Sequence, residues 1–539
     1  MDTQVVAYSE EGDGPSTGKA RHPWPLSNPT RPRREMSFAE RLEEARPHIE
    51  LMARVFAQYH SPTPFLAIDL DQLTQSYHLW ERTIGAPPHY AVKCNDAPAF
   101  LLHLDTLGSL FDAASGGELR QLVNDLGIPG EKIIATHPSR DDDTIAALRE
   151  CKPRAIVVDT VEEVGKLAKA RIPSDDYNPE LFVRFSLDNK GLSGAFGVEV
   201  IDSERPSKVQ ISEVRDIFRT AKRLGFKRFG ISTHVGTNST TTDRFEAAFE
   251  VFAKLSAGLK EFDIEVNIFD MGGGYPDVQR PLEAGTTQER FMEELGAVVA
   301  DFRERNPQVE LLAEPGRLFA HQCGTLFAAI TGIKKKEEKV GFRESESKVR
   351  VKELGVRIND GVFLSLSGQS HDGRIPDIIV VKQDGSIAQG ELVPCGIKGA
   401  TCDSEDVLEW KYTLPKNIEI GDVVVILGAG DYTISVASKF NGSRPPYTYA
   451  FRRTADGGID GELMDYAGNK IMPVAASAVN GSANLDELLN HNLTVRPSLV
   501  QLLTRAGADA GDLDPEQVKE IPEQVKRIRE QVKRISRAS

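Results

Sequence analysis

Cysteine is scarce in this chain: five in 539 residues, at Cys94, Cys151, Cys323, Cys395 and Cys402. No two form a C-x-x-C pair, so no zinc framework is visible. So few in so long a chain fit a reducing compartment better than a disulfide scaffold. Long apolar runs are missing too: no stretch reaches the roughly eighteen residues of a membrane helix. The N-terminus lacks the charged and apolar blocks of a signal peptide. Its Asp2, Glu10, Glu11 and Asp13 set it apart from an acid-poor transit peptide. A cytoplasmic location is the expectation. The chain also lacks a basic excess. Asp and Glu number 80 against 65 Lys and Arg, a net charge of −15, which argues against nucleic acid as the main partner, because phosphate backbones select basic surfaces. With 40% hydrophobic and 27% charged residues, the composition is that of a globular protein, and the length predicts more than one domain.

Residues 1–36 are rich in Pro, Gly and Ser and read as a disordered tail. In residues 37–87, Phe38, Leu42, Ile49, Met52 and Phe56 recur at helical spacing; a strand over 64–68 and a helix near Leu73 to Trp80 then lead into the main domain. Over 88–325, short apolar runs alternate with amphipathic stretches. The strand candidates are 89–92, 110–113, 132–135, 155–158, 181–185, 229–234, 266–271 and 310–313. Helices are expected at 117–126, 141–151, 161–169, 213–224 and 243–261. Eight such units predict a closed (β/α)₈ barrel, with an open doubly wound sheet as the alternative. Beyond Leu326 the period shortens. Segments 358–363, 377–381, 423–427 and 447–451 predict a mostly antiparallel β domain over 326–475, with the charged stretch 334–348 as a hairpin tip or loop. In the extension 476–539, Val518, Ile521, Val525, Ile528, Val532 and Ile535 form a heptad stripe interrupted by Pro522. It predicts a short helix or a frayed tail.

The chemistry-bearing residues lie at the predicted strand ends. Lys93 follows the apolar stretch of HYAVKCN, which can present an amine able to form a Schiff base at a barrel mouth. Alone it would read as a solvated lysine. Gly272, Gly273 and Gly274 in DMGGGYP follow another strand, and their backbone N–H groups can turn together into an anion cradle. The run is neither a Walker A loop nor a dinucleotide fingerprint. In AEPGR, a carboxylate (Glu314) and a guanidinium (Arg317) flank a rigid Pro-Gly turn, suited to a basic ring nitrogen and a phosphate. His234 and Thr237 in THVGT can supply a flat ring and a hydroxyl. Cys402 and Asp403 in TCDS, in the β domain, pair a thiol with a carboxylate that suits a cationic amine. No His/Asp cluster stands at metal-ligand spacing.

Taken in order, YAVKCN, HVGT, DMGGGYP, EPGR, TCDS, Tyr432 and Phe440-Asn441-Gly442 resemble the ornithine/diaminopimelate/arginine decarboxylases. These enzymes use pyridoxal 5′-phosphate (PLP) on an alanine-racemase-like fold. The likeness is greatest to the eukaryotic ornithine decarboxylase branch and covers about Ser37 to Pro473. The resemblance implies that Lys93 carries the cofactor and that Glu314 keeps the pyridine nitrogen protonated, where racemases of this fold place an arginine. It implies that Gly272–Gly274, Arg317, Thr237 and Tyr432 hold the phosphate, that His234 stacks on the ring, and that Asp112, Glu118 and Arg184 complete the cofactor site. Asp372 and Asp403 would receive the distal amine of the substrate, and Cys402 would direct protonation at Cα. In the family, Cys402 and Asp403 come from a partner subunit, so the resemblance implies a homodimer with shared sites.

Several positions depart from the family pattern. Asn238 replaces a glycine in HVGSG. Ala195 stands where a salt-bridging lysine is usual. Lys398-Gly399-Ala400 precedes Thr401. Phe363 and His371 stand where tyrosines are frequent. The activity expected is decarboxylation of L-ornithine to putrescine and CO₂, in polyamine or specialised amine metabolism. Lysine is the alternative substrate, one methylene longer. A reading of another class is an inactive regulator resembling antizyme inhibitors.

Overall fold

Two strand patterns, one buried on both faces and one largely antiparallel, organise the computed structural model of the chain. It describes residues 64–187, 196–202, 208–277, 287–340, 348–368, 376–453 and 459–464. In chain order the strands are β1 (Phe65–Asp69), β2 (His89–Ala91), β3 (Leu110–Ala113), β4 (Ile133–Ala135), β5 (Ala155–Val158), β6 (Glu180–Ser186), β7 (Val198–Glu199), β8 (Phe229–Thr233), β9 (Ile268–Asp270) and β10 (Glu310–Leu312). They continue with β11 (Gly324–Val340), β12 (Lys348–Ile358), β13 (Ile378–Val381), β14 (Leu392–Lys398), β15 (Val407–Pro415), β16 (Val423–Leu427), β17 (Tyr447–Arg453) and β18 (Ile459–Met464).

The eight strands expected from the sequence are β2–β6 and β8–β10, paired in parallel in the order β10-β9-β8-β6-β5-β4-β3-β2. The ring closes through two backbone bonds: the His89 N–H donates to Ala313 O (2.9 Å) and the Ala91 N–H to Pro315 O (3.0 Å). Side-chain alternation shows why these short runs favour a barrel. Ala155 and Val157 of β5 join Ile134, Phe182, Ile268 and Leu312 in a small inner core. Ile156 and Val158 face the larger core beneath the surrounding helices. Strands buried on both faces read as near-continuous apolar runs for this reason. The bottom is laced by ion pairs, Arg154 to Glu180 and Glu310 and Arg228 to Glu180. Close by, His89 is fully buried with neither ring nitrogen hydrogen-bonded.

The helices at Asp142–Cys151, Val161–Lys169, Ser212–Arg223 and Asp243–Lys260 match the periodic stretches. The stretch expected at 117–126 is an α-turn, Gly116–Arg120, continuing into a π-turn, Gln121–Asp125. Two further helices, Pro98–Leu107 and Gln288–Arg305, complete the ring.

The second sheet runs β15-β14-β12-β11-β1-β17-β18, with β16 on β11 and β13 on β16. Strand β1 is placed in it, antiparallel to β11 and parallel to β17, so this sheet takes strands from both sides of the barrel. Of the charged stretch expected as a hairpin tip or loop, residues 334–340 form strand, and residues 341–347 lie outside the described residues. Residues up to Val340 pair with β12, and opposite charges face across the ribbon: Lys336 with Glu353 at 3.3 Å and Lys352 with Glu338 at 3.5 Å. Such pairs stabilise an exposed ladder. The segment expected to be extended over 358–363 leaves the sheet at Ile358 for a turn built on Asp360. Its carboxylate accepts from the Gly361 and Ser365 N–H groups (2.7 and 3.1 Å). The predicted tail, the heptad stripe, His371 and Asp372 lie outside the described residues.

Candidate active site

Lys93, His234, Gly272–Gly274 and Glu314 stand in turns that follow barrel strands. Asp112 and Arg184 lie in the C-terminal halves of β3 and β6, and Glu118 and Arg317 lie in short helices just beyond strand ends, all at the end where barrel sites are built. Lys93 sits in a 3₁₀ turn after β2, and its Nζ lies 3.0 Å from Asp112 Oδ2 on the neighbouring β3. Asp112 is buried, and its other oxygen accepts from the Thr136 hydroxyl. Burial opposes the lysine's charge, but Asp112 and Glu314 outweigh it and raise the amine above the ordinary lysine range. Solvent still reaches 45% of the Lys93 side chain.

Glu118 follows from a short-range sequence signal, S-G-G-E. Ser115 caps the turn by accepting from the Glu118 N–H (3.2 Å). The Glu118 carboxylate reaches back to the Ala114 N–H at 2.5 Å, close to a capping box. Burial pushes Glu118 up to about 7, against the lowering by that N–H and with help from Asp112.

Glu314 follows β10 and is buried. Burial first, then Asp270 and Asp112, hold it well above the usual carboxylate range. Asp270, at the end of β9, was not singled out from the sequence, yet it forms a side-chain hydrogen bond with Glu314. It also accepts from the Gly272 N–H (3.0 Å) and the Ser232 hydroxyl (3.1 Å). Two buried carboxyls in contact cannot both ionise readily. Asp270 already has two donors on its oxygens, so the proton falls to Glu314.

His234 follows β8. Burial, then Arg184, Lys93 and Arg244, lower it to about 3, so its ring is neutral. That ring lies across Gly273: a Cβ there would meet His234 Cε1 at 3.1 Å and Glu314 O at 3.1 Å. The neighbouring glycines are required by the backbone itself. Gly272 and Gly274 have φ of +68° and +112°, and a Cβ on Gly274 would lie 2.5 Å from Gly236 O. The Ser239 N–H donates to Gly274 O (2.8 Å), tying the two turns together. Thr237 is exposed beside this cradle and Asn238 adopts φ +51°.

The β domain contributes directly. The Tyr432 N–H donates to Cys94 O (2.7 Å) and the Ser435 hydroxyl to Lys93 O (2.8 Å). The Arg317 guanidinium lies 4.4 Å from the centre of the Tyr432 ring. Burial is the main cause pushing the Tyr432 phenol up to about 12. Arg184 on β6 points its guanidinium at Phe196, 5.8 Å from the ring centre. The Nε of Arg184 is buried without a hydrogen-bond partner. That orphaned donor, the glycine cradle, Arg317, the neutral His234 ring, the protonated Glu314 and an amine within reach form a donor set that fits a flat, phosphorylated, electron-poor ring.

Cys402 and Asp403 stand apart from this group. Both are exposed on the loop before β15, and no hydrogen bond or ion pair joins either to Lys93 among the described residues. Their loop is held by Asp406, whose carboxylate accepts from the Val362 N–H (2.9 Å), the Thr401 N–H (2.9 Å) and the Thr401 hydroxyl (2.7 Å). No helix among the described residues is long and apolar enough to cross a membrane.

Comparison with known proteins agrees with this geometry. Residues 70–321 match the family described as pyridoxal-dependent decarboxylase, pyridoxal binding domain. A probable ornithine decarboxylase of Dictyostelium discoideum is 27% identical over 72% of this chain and 79% of that protein. A lysine/ornithine decarboxylase of Selenomonas ruminantium is 28% identical over 71% and 88%. The crystal structure of a lysine/ornithine decarboxylase from Vibrio vulnificus, complexed with cadaverine, superposes with a TM-score of 0.62 at 26% identity, covering 77% of this chain and 99% of that one. Residues 70–321 thus carry the pyridoxal-binding domain of pyridoxal-dependent decarboxylases, and the chain is a PLP-dependent amino-acid decarboxylase.

Proposed function

We propose that the preferred substrate is L-ornithine and the products putrescine and CO₂. The observation that carries this reading is the match to ornithine decarboxylases from several organisms, combined with the acidic Asp403 beside Cys402. PLP, when bound, supplies an electron-accepting ring that stabilises the electron pair left at Cα as CO₂ departs.

The chain's residues take the remaining roles. Lys93 holds the cofactor through its ε-amine, and Asp112, 3.0 Å away, is the nearest base for a proton leaving Nζ. Glu314 presents its proton to the ring nitrogen, which favours electron withdrawal. The neutral His234 ring packs on the cofactor face without adding charge. The Gly272–Gly274 turn, through the Gly273 and Gly274 N–H groups, receives the phosphate with Arg317, Thr237 and Tyr432, and Arg184 adds a donor; the Gly272 N–H is held by Asp270. Asp403, with Asp372, binds the distal ammonium, and Cys402 delivers a proton to Cα.

Because Cys402 and Asp403 are exposed and unbonded to Lys93 within one chain, the reading includes a homodimer in which each subunit completes the other's site. Co-expressed chains, one lacking Lys93 and the other Cys402, would then regain activity that neither variant has alone. Lysine is the second reading, favoured by the lysine/ornithine relative; a pocket distinguishes one methylene by only about 1–3 kcal/mol.

The deciding experiment is CO₂ release from L-ornithine, L-lysine, L-arginine and meso-diaminopimelate, with Lys93→Ala as control. The highest kcat/KM is expected for L-ornithine and no turnover for the variant. A higher value for another substrate overturns the substrate, and a variant as active as wild type overturns the role of Lys93.

A further inference from the structure

Beneath the phosphate-binding residues lies a group of buried polar side chains that the roles above leave unused. Asp431 is 1% exposed. Its Oδ2 accepts from Arg317 Nη1 at 2.8 Å, and its Oδ1 lies 2.7 Å from His321 Nδ1. A carboxylate offers only acceptors, so Nδ1 of His321 must be the donor, which fixes the orientation of the imidazole. Asp277, at the end of the glycine turn, brings its carboxylate into the same group: one ligand atom from each of Asp277, His321 and Asp431 lies within 4.8 Å of the others. The Asn238 amide donates to Asp277 at 3.2 Å. A metal ion is a poor occupant here. Both oxygens of Asp431 are already engaged, one by a guanidinium, which is itself the cation of the group.

We propose that Asp431 is a positioning residue for the phosphate subsite: a buried carboxylate that aims Arg317 at the cofactor phosphate, itself held by His321. The proposal rests on the reading of Arg317 and Tyr432 as phosphate-binding residues. Asp431 and Tyr432 are adjacent, so one turn grips the guanidinium twice, by charge at an edge and by the ring at a face (4.4 Å). A guanidinium has five N–H donors in a rigid fork, so engaging one edge leaves others presented in a fixed direction.

The turn itself is immobilised. The Asn95 amide donates to Gly430 O (2.7 Å), the Gly430 N–H to His321 O (3.2 Å) and the Tyr432 N–H to Cys94 O (2.7 Å). A Cβ on Gly430 would lie 1.7 Å from Ala320 O. These contacts hold Tyr432 at φ +48°, a conformation a tyrosine adopts only under constraint. Arg317 and the turn after Lys93 are thereby registered to one another through Asp431, so the phosphate anchor sits at a fixed distance from the amine that takes the other end of the cofactor.

The test measures cofactor binding to the apo form of the full chain with two probes, PLP and phosphate-free pyridoxal. Asp431→Asn is expected to weaken PLP binding by about tenfold or more, the scale of losing one partner of a buried charge pair, and to leave pyridoxal binding unchanged. In an Arg317→Ala background the same substitution is expected to add no further loss, because the carboxylate acts through the arginine. Wild-type affinity in Asp431→Asn overturns the proposal, as does an equal loss with both probes or a full penalty without Arg317. If Asp431→Asn does not fold, His321→Gln is measured in the same way. It is expected to lose PLP affinity selectively, and unchanged or equal losses overturn the role. If Arg317→Ala itself binds PLP like wild type, the phosphate assignment has failed, a result distinct from failure of Asp431 alone.

Discussion

Acid should loosen this fold through His89, and the size of the effect follows from its surroundings. The side chain is fully buried at the start of β2, with no partner on either ring nitrogen. Burial, and secondarily Arg154, lowers its pKa from 6.5 to about 3. The folded protein therefore keeps the ring neutral, while the unfolded chain takes up a proton below 6.5. Stability from this group is complete above 6.5 and is lost as pH falls from there toward 3. At pH 5 the gap already engaged is roughly 1.5 units, or about 2 kcal/mol at about 1.4 kcal/mol per unit. For a domain of this size that corresponds to about 4–8 °C in thermal midpoint. His89→Leu fills a similar volume without a titrating group. The drop in midpoint between pH 7.5 and pH 5 should shrink by about that amount in the variant, as read by scanning calorimetry. An identical drop in both proteins would refute the reasoning, since carboxylates elsewhere contribute equally to each.

Gly274→Ala forces a Cβ to within 2.5 Å of Gly236 O at φ +112°. It should cost at least about 1–2 kcal/mol of backbone strain and weaken PLP binding in a titration. Gly165→Ala, with nothing within 4 Å of the new methyl, should be neutral or stabilising by up to about 1 kcal/mol in its helix. Asp406→Asn puts an amide donor against three donors and should raise the KM for the amino acid through the Cys402 loop, with faster proteolysis of that loop as a second readout. Glu118 is raised to about 7, so its contribution is present at low pH and falls away as pH rises through 7. Glu118→Gln should flatten the stability profile between about pH 4.5 and 7, the interval between the ordinary and the raised value, in a thermal scan.

Much of this architecture is legible in the sequence, for identifiable reasons. Barrel strands such as Ala155–Val158 are buried on both faces and bounded by turns, so their apolar runs mark them directly. Lys93, His234, Gly272–Gly274 and Glu314 stand next to such runs, and strand ends are where barrel side chains converge. Asp270 was not legible as part of the proton-holding pair. Its partner Glu314 is distant in sequence, and only the register of β9 with β10 brings them together. His321 was invisible for the same reason, since its partner Asp431 lies in the other domain. The helix Pro98–Leu107 is apolar around most of its circumference and shows little periodic contrast. The charged ribbon after Lys334 looked like a loop because its stabilising partners are on β12, across the strand rather than along it.

The place of β1 bears on how the enzyme comes into being. Phe65 pairs with Phe327 on one side and with Tyr447 on the other. A growing chain therefore carries this strand through synthesis of the whole barrel before either neighbour exists. Pairings so distant in sequence are slow to form and leave an edge exposed meanwhile. The turn that ties Tyr432 to Cys94 also arrives late. A ribosome-bound chain that has completed all eight barrel strands holds Lys93 but not the turn of Tyr432, which the proposed function assigns to the cofactor phosphate. The same late segment thus supplies both neighbours of β1 and the turn that meets Cys94, so the second sheet and that wall of the candidate site are completed by the same part of the sequence.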